Sequence, residues 1–471
     1  MIDVIFSTLS PLYFCRMNDP VFVKKYNVPG PRYTSYPTVP FWKKNPLTES
    51  EWNKALGEFT QSYDHQFVSI YIHLPFCESL CTFCGCHKRI TKNHQVETPY
   101  IFALKKEWEL YVKSFGFQPQ IKELHLGGGT PTFFAADAII DLLTAIFGKN
   151  TIQPEECELS FEAHPGSTSE EHLQKLFDFG FRRVSFGIQD YDPIVQTAIH
   201  RIQSFELVKS VHDLAKQIGY TSINHDLVFG LPKQDMRALM KTIDLTLELK
   251  PERIALYSYA HVPWIKGTGQ RGYSEADLPQ DNEKRALYET AYAKLIDSGY
   301  LAIGMDHFAL PDDGLSKAFN QKKLHRNFMG YTTKSTNWMI GLGMSAISDC
   351  WIGFAQNDKT VEGYQEQINK GIIPVFRGHL LTDTELLIRK HILDLMCHFE
   401  TSFSTDKQCQ HIYDGIIQRL QPLLDDQLAC LENQTVTITE KGLPFVRNVC
   451  MAFDLDLIQT EIGKQLFSKT I

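Results

Sequence analysis

Four cysteines stand within ten residues of one another, at Cys77, Cys81, Cys84 and Cys86. The first three have the spacing Cys-x3-Cys-x2-Cys, which places three thiols in one tight loop. Thiolates are the preferred ligands of iron in cubane iron–sulfur clusters, and three of them hold three of the four irons. The loop therefore predicts a 4Fe-4S cluster bound by Cys77, Cys81 and Cys84, with one iron left open to a ligand from outside the protein.

Three other uses of clustered cysteines compete with this interpretation: a zinc site, buried structural cysteines and a redox pair. Zinc usually takes four tetrahedral ligands from two separated pairs, and structural cysteines are not normally crowded into one loop. The aromatic Phe83 before the third cysteine, and the position of the loop after a predicted strand, favour the cluster. Spacing alone leaves the three alternatives open.

The elements that would position the loop are six short apolar runs rich in β-branched and aromatic residues. These predicted strands are residues 67–74, 121–126, 158–163, 183–189, 223–229 and 253–260. Between them, residues 100–113, 136–147, 205–218 and 236–249 have helical spacing. Alternation of this kind predicts β/α units around a parallel sheet. The predicted fold class is α/β, an incomplete parallel (β/α)6 barrel.

A glycine triplet, Gly127, Gly128 and Gly129, follows the second predicted strand. The catalytic groups of such barrels lie where strands end. Three consecutive glycines also let a backbone approach a ligand more closely than a turn requires. We therefore expect the triplet to line the same site as the cysteine loop.

The two ends of the chain lack this alternation. Residues 1–50 are predicted to form an N-terminal arm that packs on a barrel domain of residues 51–375, and residues 376–471 a small, mostly helical C-terminal domain. Thr382 and Glu385 form a capping-box sequence at the start of a helix predicted to end at Met396. Residues 1–16 are expected to lie upstream of the true initiator, because Met17 begins a more ordinary start.

Composition narrows the class of protein. A formal net charge of -8 without a Lys/Arg stripe argues against nucleic-acid binding. The eleven cysteines, only four of them clustered, do not form the pattern of a secreted disulfide framework. Reduced thiols and a cytoplasmic location are therefore expected. The apolar opening is too short to span a membrane, and no membrane span is predicted.

Together, the cysteine loop and the glycine triplet resemble the motifs of the radical S-adenosylmethionine superfamily, in which the triplet is similar to a GGE-type motif. A finer resemblance, to the oxygen-independent coproporphyrinogen III oxidase family, covers nearly the whole chain from about Lys24 to Ile471. Its segments are GPRYTSYPT at 30–38, YIHLPFC at 71–77, GMDHF at 304–308, and RNF at 326–328 leading to GYTT at 330–333.

The finer resemblance implies an enzyme of haem synthesis, a coproporphyrinogen dehydrogenase. Such an enzyme converts two propionates of coproporphyrinogen III to vinyl groups without oxygen and yields protoporphyrinogen IX. The implied cofactors are the 4Fe-4S cluster and two molecules of S-adenosylmethionine. One electron from the cluster would cleave S-adenosylmethionine to a 5'-deoxyadenosyl radical, which takes a hydrogen from the propionate β-carbon. A flavodoxin-type electron donor and a monomeric state are also expected.

Contacts with both S-adenosylmethionine molecules are implied as well. The cluster-bound molecule is expected at Tyr71, Gly128 and Glu162. The second molecule is expected at Phe83, Gly129, Thr130, Gln189, Arg201, Asp226, Ala260 and Ile347. Cys86 belongs to the family's pattern but not to its cluster ligands, so we expect it beside the cofactor pocket, where it would tune the metal site.

The four propionates of the substrate require cationic donors. The leading candidates are Arg32 and Arg326, and further ones are Arg201, Lys322, Lys323 and His325. The nearest alternative function is that of a related haem chaperone, which typically has an aromatic residue in place of Cys86 and lacks the GPRYTSYPT segment. A non-enzymatic iron–sulfur electron carrier is disfavoured by the barrel and the glycine triplet.

Overall fold

The largest element of the fold is a twelve-stranded mixed sheet. The structure is a computed structural model that describes residues 20–42, 47–63, 66–148, 156–263, 269–458 and 466–470. In chain order the strands are β1 (Phe67–Leu74), β2 (Phe76–Cys77), β3 (Arg89–Ile90), β4 (Gln120–Gly128), β5 (Glu158–Ala163), β6 (Arg183–Gln189), β7 (Ser222–Phe229), β8 (Arg253–Ser258), β9 (Leu301–Gly304), β10 (His307–Ala309), β11 (His325–Asn327), β12 (Gly330–Thr332), β13 (Met339–Leu342), β14 (Ile347–Asp349), β15 (Gly353–Asn357), β16 (Val375–Leu380), β17 (Glu400–Ser402), β18 (Ala429–Glu432) and β19 (Thr435–Ile438). The α-helices are α1 (Pro20–Tyr26), α2 (Glu49–Ser62), α3 (Glu97–Phe115), α4 (Ala136–Phe147), α5 (Glu170–Phe179), α6 (Pro193–Ala198), α7 (Phe205–Ile218), α8 (Met236–Leu249), α9 (Asp281–Asp297), α10 (Gly314–Asn320), α11 (Val361–Asn369), α12 (Asp383–His398), α13 (Gln410–Asp425), α14 (Val446–Phe453) and α15 (Leu455–Ile458).

The centre of this sheet is parallel and its edges are antiparallel. The strand order is β16-β15-β14-β13-β1-β4-β5-β6-β7-β8-β10-β9. Neighbouring strands from β13 through β8 run parallel, and the outer strands are antiparallel to their neighbours. The mixed α/β fold with a parallel sheet is confirmed, while the count of barrel units stays a prediction.

The six predicted strands correspond to β1, β4, β5, β6, β7 and β8, and the four predicted helices to α3, α4, α7 and α8. The sheet also continues beyond the predicted units, with β13 parallel to β1 on its far side. The sequence analysis missed β13 and the edge strands; five of these six strands have only three to five residues. Such short strands carry too few residues to show a periodic pattern.

Buried and half-buried residues alternate along the central strands, so the sheet has a packed outer face and a polar inner face. In β6, Val184, Phe186 and Ile188 are buried, while every other residue of the strand is half-buried. In β1, Tyr71 is half-buried between the fully buried Ile70 and Ile72. Successive side chains of a strand point to opposite faces, so the polar residues share one face of the sheet and the apolar ones pack under the helices.

A buried polar cluster lies at the N-terminal ends of the parallel strands, away from the cysteine loop. Thr332 of the β11–β12 hairpin donates to Glu123 at 2.5 Å, and Thr333 donates to Glu158 at 2.7 Å. Burial and the neighbouring Glu158 raise the pKa of Glu123 to about 7. Although burial opposes it, Arg183 and Arg253 lower the pKa of Glu158 to about 2. The hairpin therefore covers this end of the inner face, which leaves the other end for a site.

The C-terminal helices form a second hydrophobic core, which also includes tyrosines of the N-terminal arm. Tyr26, Tyr33 and Tyr36 are buried in that core, and Tyr33 donates to Asp454 at 2.9 Å. The arm was expected to pack on the barrel, and it contacts both parts: these tyrosines pack on the C-terminal helices, whereas Trp42 stacks on Phe354 of β15 and Leu47 joins the core of the barrel. Sequence spacing could not reveal this, because the arm has no periodic face to match to a partner. Residues 1–16, and the prediction about their start, lie outside the described residues.

The C-terminal segment contains a three-stranded sheet, β17-β19-β18, beside its helices. The predicted capping box is present, since Thr382 accepts from the backbone N–H of Glu385 and Glu385 accepts from that of Thr382. None of the described helices is long and apolar enough to cross a membrane. The domain boundaries at residues 50 and 375 stay predictions.

Candidate active site

The cysteine loop begins at the end of β1 and is anchored at both ends. β2 and β3 pair in parallel, with Cys77 opposite Ile90. The backbone N–H of Thr91 donates to the carbonyl of Cys77 at 2.9 Å. In the middle of the loop, the N–H of Thr82 donates to the carbonyl of Ile199 at 3.0 Å. The loop is thus held to the rest of the barrel by its backbone, independently of its sulfur atoms.

The three predicted ligands are free, half-buried thiols. Burial raises the pKa of Cys77 to about 11. Thr130 donates to the sulfur of Cys77 at 3.3 Å, and Arg201 donates to the sulfur of Cys81 at 3.7 Å. Hydrogen bonds to sulfur stabilise and tune thiolate ligands, so these residues fit a cluster held by three cysteines.

Cys86 differs from the other three cysteines of the loop in being exposed. A hydrogen bond between Cys86 and Cys84 raises the pKa of Cys86 and lowers that of Cys84. Lys88 donates to the backbone carbonyls of both cysteines. Over the described part of the chain, no three His, Cys, Asp or Glu side chains converge on a point where a single metal ion could bind.

Each glycine of the triplet is close-packed on its neighbours. A Cβ at Gly127 would lie 3.1 Å from the Glu162 carboxylate. Gly128 has a φ of +117°, and a Cβ there would lie 2.8 Å from the ring of His73. A Cβ at Gly129 would lie 2.5 Å from the carbonyl oxygen of Pro75. Side chains are therefore excluded at the point where the triplet meets the start of the cysteine loop.

The structure brings together Tyr71, Gly128 and Glu162, the residues expected at the cluster-bound S-adenosylmethionine. The N–H of Gly128 donates to Glu162 at 3.2 Å. Although burial opposes it, hydrogen bonds from His125 and Gly128 lower the pKa of Glu162. Its side chain is still 44% exposed. A charged carboxylate is therefore available to accept hydrogen bonds from an ammonium group.

Two histidines of this group were missed by the sequence analysis. His125 lies 3.5 Å from Glu162 and stacks on Tyr71 with ring centroids 6.2 Å apart. His73 contacts the hydroxyl of Tyr71 at 3.1 Å. The period-two alternation that places Tyr71 on the inner face also places His73 and His125 there. That alternation was the signal that could have identified them.

The residues expected at the second S-adenosylmethionine line the adjoining inner face. Asp226 accepts from Ser185 and Asn224, both at 2.8 Å, and burial raises its pKa to about 6. Arg201 donates to the carbonyl of Gly187 at 2.6 Å. Its Nε is buried and has no hydrogen-bond partner among the described residues. Arg201 thus keeps one donor for a further ligand.

The remaining expected residues of this set, apart from Ile347, lie around the same face. Gln189 has a φ of +69° at an irregularity of β6 and reaches back toward Gly187. Gln270 links Ala260 and Phe83, because it donates to both of their carbonyls, at 2.7 and 3.5 Å. Ile347 is apart from the others, in β14 on the far side of β13. Gly129 and Thr130 adjoin the cysteine loop through Pro75 and Cys77.

The cationic candidates for substrate binding separate into two groups. Lys322 is 67% exposed and pairs with Glu400, so it does not face the site. Lys323 is exposed as well. Arg32 pairs with Asp306 at 2.6 Å, whereas Arg326 is buried without a carboxylate partner among the described residues. The charge pattern of the sequence could not distinguish these environments.

Comparison with known proteins decides the family. The family model of the radical SAM superfamily matches residues 71–246. An oxygen-independent coproporphyrinogen III oxidase of Helicobacter pylori (strain J99) is 36% identical over 95% of this chain and 98% of the relative. That of Escherichia coli (strain K12) is 36% identical over 96% of this chain and 98% of the relative. This chain belongs to the oxygen-independent coproporphyrinogen III oxidase family.

The solved coproporphyrinogen III oxidase of Escherichia coli, described as a radical SAM enzyme, has the fold of this family member. It superposes with a TM-score of 0.85 at 34% identity and covers 93% of this chain and 99% of its own. The resemblance stated from the sequence is thereby confirmed. Membership of the radical SAM superfamily implies a 4Fe-4S cluster and S-adenosylmethionine as cofactors, and the oxidase family is favoured over the haem chaperone.

Proposed function

We propose that this chain converts coproporphyrinogen III to protoporphyrinogen IX without oxygen, in haem and porphyrin biosynthesis. The observation that carries the proposal is the similarity to named oxidases over nearly the whole chain. It extends from the arm through the C-terminal helices rather than covering the cysteine loop alone. The inner face also presents the carboxylate of Glu162, which can accept hydrogen bonds from an ammonium group.

The roles of the residues follow from their contacts. Cys77, Cys81 and Cys84 would hold the cluster, which when bound would supply the electron for reductive cleavage of S-adenosylmethionine. Glu162, held by Gly128 and His125, binds the ammonium group of the methionine. The glycine triplet brings backbone close to the same ligand. These residues would bind and orient S-adenosylmethionine beside the cluster.

A second S-adenosylmethionine is part of the proposal. Asp226 and Arg201 support it, because each is half-buried on the inner face and retains capacity for a polar ligand. The other proposed contacts are Phe83, Gly129, Thr130, Gln189, Ala260 and Ile347. Two propionates are converted in each turnover, and a second cofactor beside the first would serve the second decarboxylation.

The proposal includes the finer architecture. Residues 51–375 form the incomplete (β/α)6 barrel domain, residues 1–50 the arm and residues 376–471 the C-terminal domain. The separate C-terminal core, which the arm's tyrosines join, supports this division. We further propose a monomer in the cytoplasm that receives electrons from a flavodoxin-type reductant. The cytoplasmic location is supported by the ten described cysteines, all of which are free thiols.

An anaerobic turnover assay tests the proposed function. Reconstituted and reduced protein, mixed with S-adenosylmethionine and coproporphyrinogen III, is expected to form protoporphyrinogen IX and 5'-deoxyadenosine. Omission of S-adenosylmethionine is the control and should abolish product. Protein that contains its cluster, forms no product and instead binds haem tightly would contradict the proposal and indicate the chaperone.

A further inference from the structure

The side chain of Arg326 is a buried cation with little to neutralise it. The residue is 8% exposed. Its Nη2 donates to the carbonyl of Arg32 at 3.4 Å, and its Nε and Nη1 are buried without a hydrogen-bond partner among the described residues. A buried guanidinium normally makes hydrogen bonds with most of its five donors. Two of the three nitrogens of Arg326 are therefore available to a ligand.

The arginines near Arg326 have ion-pair or hydrogen-bond partners for their side chains, and Arg326 is the exception. Arg32 pairs with Asp306 at 2.6 Å, and Arg253 pairs with Asp313 at 2.7 Å. Arg447 has no carboxylate partner among the residues that the structure describes, but its nitrogens donate to backbone carbonyls of the arm and of the C-terminal residues. Removing a charge from water without a partner is costly. The environment of Arg326 therefore suits an anion that arrives with a ligand.

A second unpartnered donor lies close to Arg326. The Nδ1 of His307 is buried and has no partner in the described chain. The ring of Tyr331 connects the two residues: the guanidinium carbon of Arg326 lies 4.5 Å from its centroid, and the ring of His307 stands edge-on to it at 5.4 Å. Arg326 is also close enough to contribute to the lowered pKa of His307, after the larger effect of burial.

The strand register places His307 on the same face as the proposed S-adenosylmethionine site. Asp226 of β7 is opposite Ala255 of β8, and Ala255 is opposite His307 of β10. Paired residues of neighbouring strands point to the same face of a sheet. Two strand spacings amount to about 10 Å. A tetrapyrrole is wider than this spacing between Asp226 and His307.

We propose that Arg326 and His307 bind one propionate carboxylate of coproporphyrinogen III and so orient the tetrapyrrole on the inner face. This inference rests on the proposed function. It also distinguishes the two leading candidates. Arg326 binds the carboxylate, whereas the side chain of Arg32 is paired with Asp306 and Arg32 contacts Arg326 through its backbone carbonyl. The hydrogen bond from Arg326 to the Arg32 carbonyl is long, and its acceptor carries no charge. A charge-assisted bond to a carboxylate is about twice as strong, so the guanidinium can turn toward the substrate.

Substitution of Arg326 in the holoenzyme tests the receptor. In Arg326→Gln, we expect the KM for coproporphyrinogen III, and the Kd for the unreactive probe coproporphyrin III, to rise by about 30-fold or more, because one side of a buried charged pair is lost. Iron content and the binding of S-adenosylmethionine should not change. His307→Gln should raise the same constants by about 3- to 10-fold, as the loss of one hydrogen bond from an uncharged donor does.

Arg182→Gln is the matched control. Arg182 also lies over an aromatic ring, that of Phe177 at 3.9 Å, but donates to two backbone carbonyls away from the inner face. Its substitution should leave the KM unchanged. Arg326→Lys, which keeps the charge without the planar fork, should fall between wild type and Arg326→Gln. If Arg326→Gln does not fold, Arg326→Lys and His307→Gln carry the test through their KM values.

The receptor is overturned if the folded Arg326 variants bind coproporphyrin III as the wild type does. It is also overturned if their affinity falls only in step with iron content and melting temperature, since that pattern indicates a structural role. Failure of the proposed function gives a different result, because then the wild-type protein itself forms no protoporphyrinogen IX.

Discussion

Replacing Cys77, Cys81 or Cys84 by serine is expected to remove the iron–sulfur cluster and all cleavage of S-adenosylmethionine. In the proposed cluster, each of these thiols is the single protein ligand of one iron. The loop itself should survive, because its backbone hydrogen bonds through Thr82 and Thr91 do not involve sulfur. Iron and sulfide analysis of the anaerobically reconstituted variants, together with their absorbance spectra, measures the effect.

Cys430→Ser provides the matched control for these three variants. Cys430 is a half-buried free thiol in β18, in the C-terminal segment. The same chemical change there should leave iron content and turnover at the wild-type level. A normal iron content in any one of the three loop variants would remove that cysteine from the ligand set.

Cys86→Ser is expected to keep the cluster but lower the oxidase activity by about 10- to 100-fold, the effect typical of groups that tune a metal site without binding it. If Cys86 bound the fourth iron, no coordination position would remain for S-adenosylmethionine. Its hydrogen bond with Cys84 places it where it can influence a ligand sulfur instead. Iron content and turnover of the variant, measured side by side, check this expectation.

Mössbauer spectroscopy separates the two roles of Cys86 further. The wild-type protein should contain one unique iron whose signal changes when S-adenosylmethionine is added, and Cys86→Ser should retain that response. Loss of the cluster in Cys86→Ser would make Cys86 a ligand and would contradict the open iron on which the mechanism depends.

The central strands could be predicted from the sequence because parallel strands covered by helices are apolar and bounded by turns. Three helices, α4, α7 and α8, also have the predicted bounds. The β13–β16 edge and the β11–β12 hairpin could not be predicted, since such short strands derive their structure from pairing rather than from a local pattern. The packing of Tyr33 and Tyr36 in the C-terminal core likewise depends on contacts distant in sequence.

The parts of the candidate site that could be predicted are those marked by a short sequence motif. The cysteine spacing and the glycine triplet are local, and the structure places Gly128 against Glu162. The environment of a charged residue, in contrast, depends on residues distant from it in sequence. Arg32 and Arg326 cannot be distinguished by residue type. In the structure, Arg32 pairs with Asp306, whereas Arg326 has two nitrogens without a partner among the described residues. Only the fold distinguishes a structural ion pair from a receptor for a ligand.

The most direct test of the account follows deuterium from the substrate. Coproporphyrinogen III carrying deuterium at the β-carbons of its propionates is incubated anaerobically with the reduced holoenzyme and S-adenosylmethionine, and the 5'-deoxyadenosine is analysed by mass spectrometry. The account predicts that deuterium appears in 5'-deoxyadenosine as protoporphyrinogen IX forms, because the radical made at the cluster takes that hydrogen. Formation of protoporphyrinogen IX with unlabelled 5'-deoxyadenosine would contradict it.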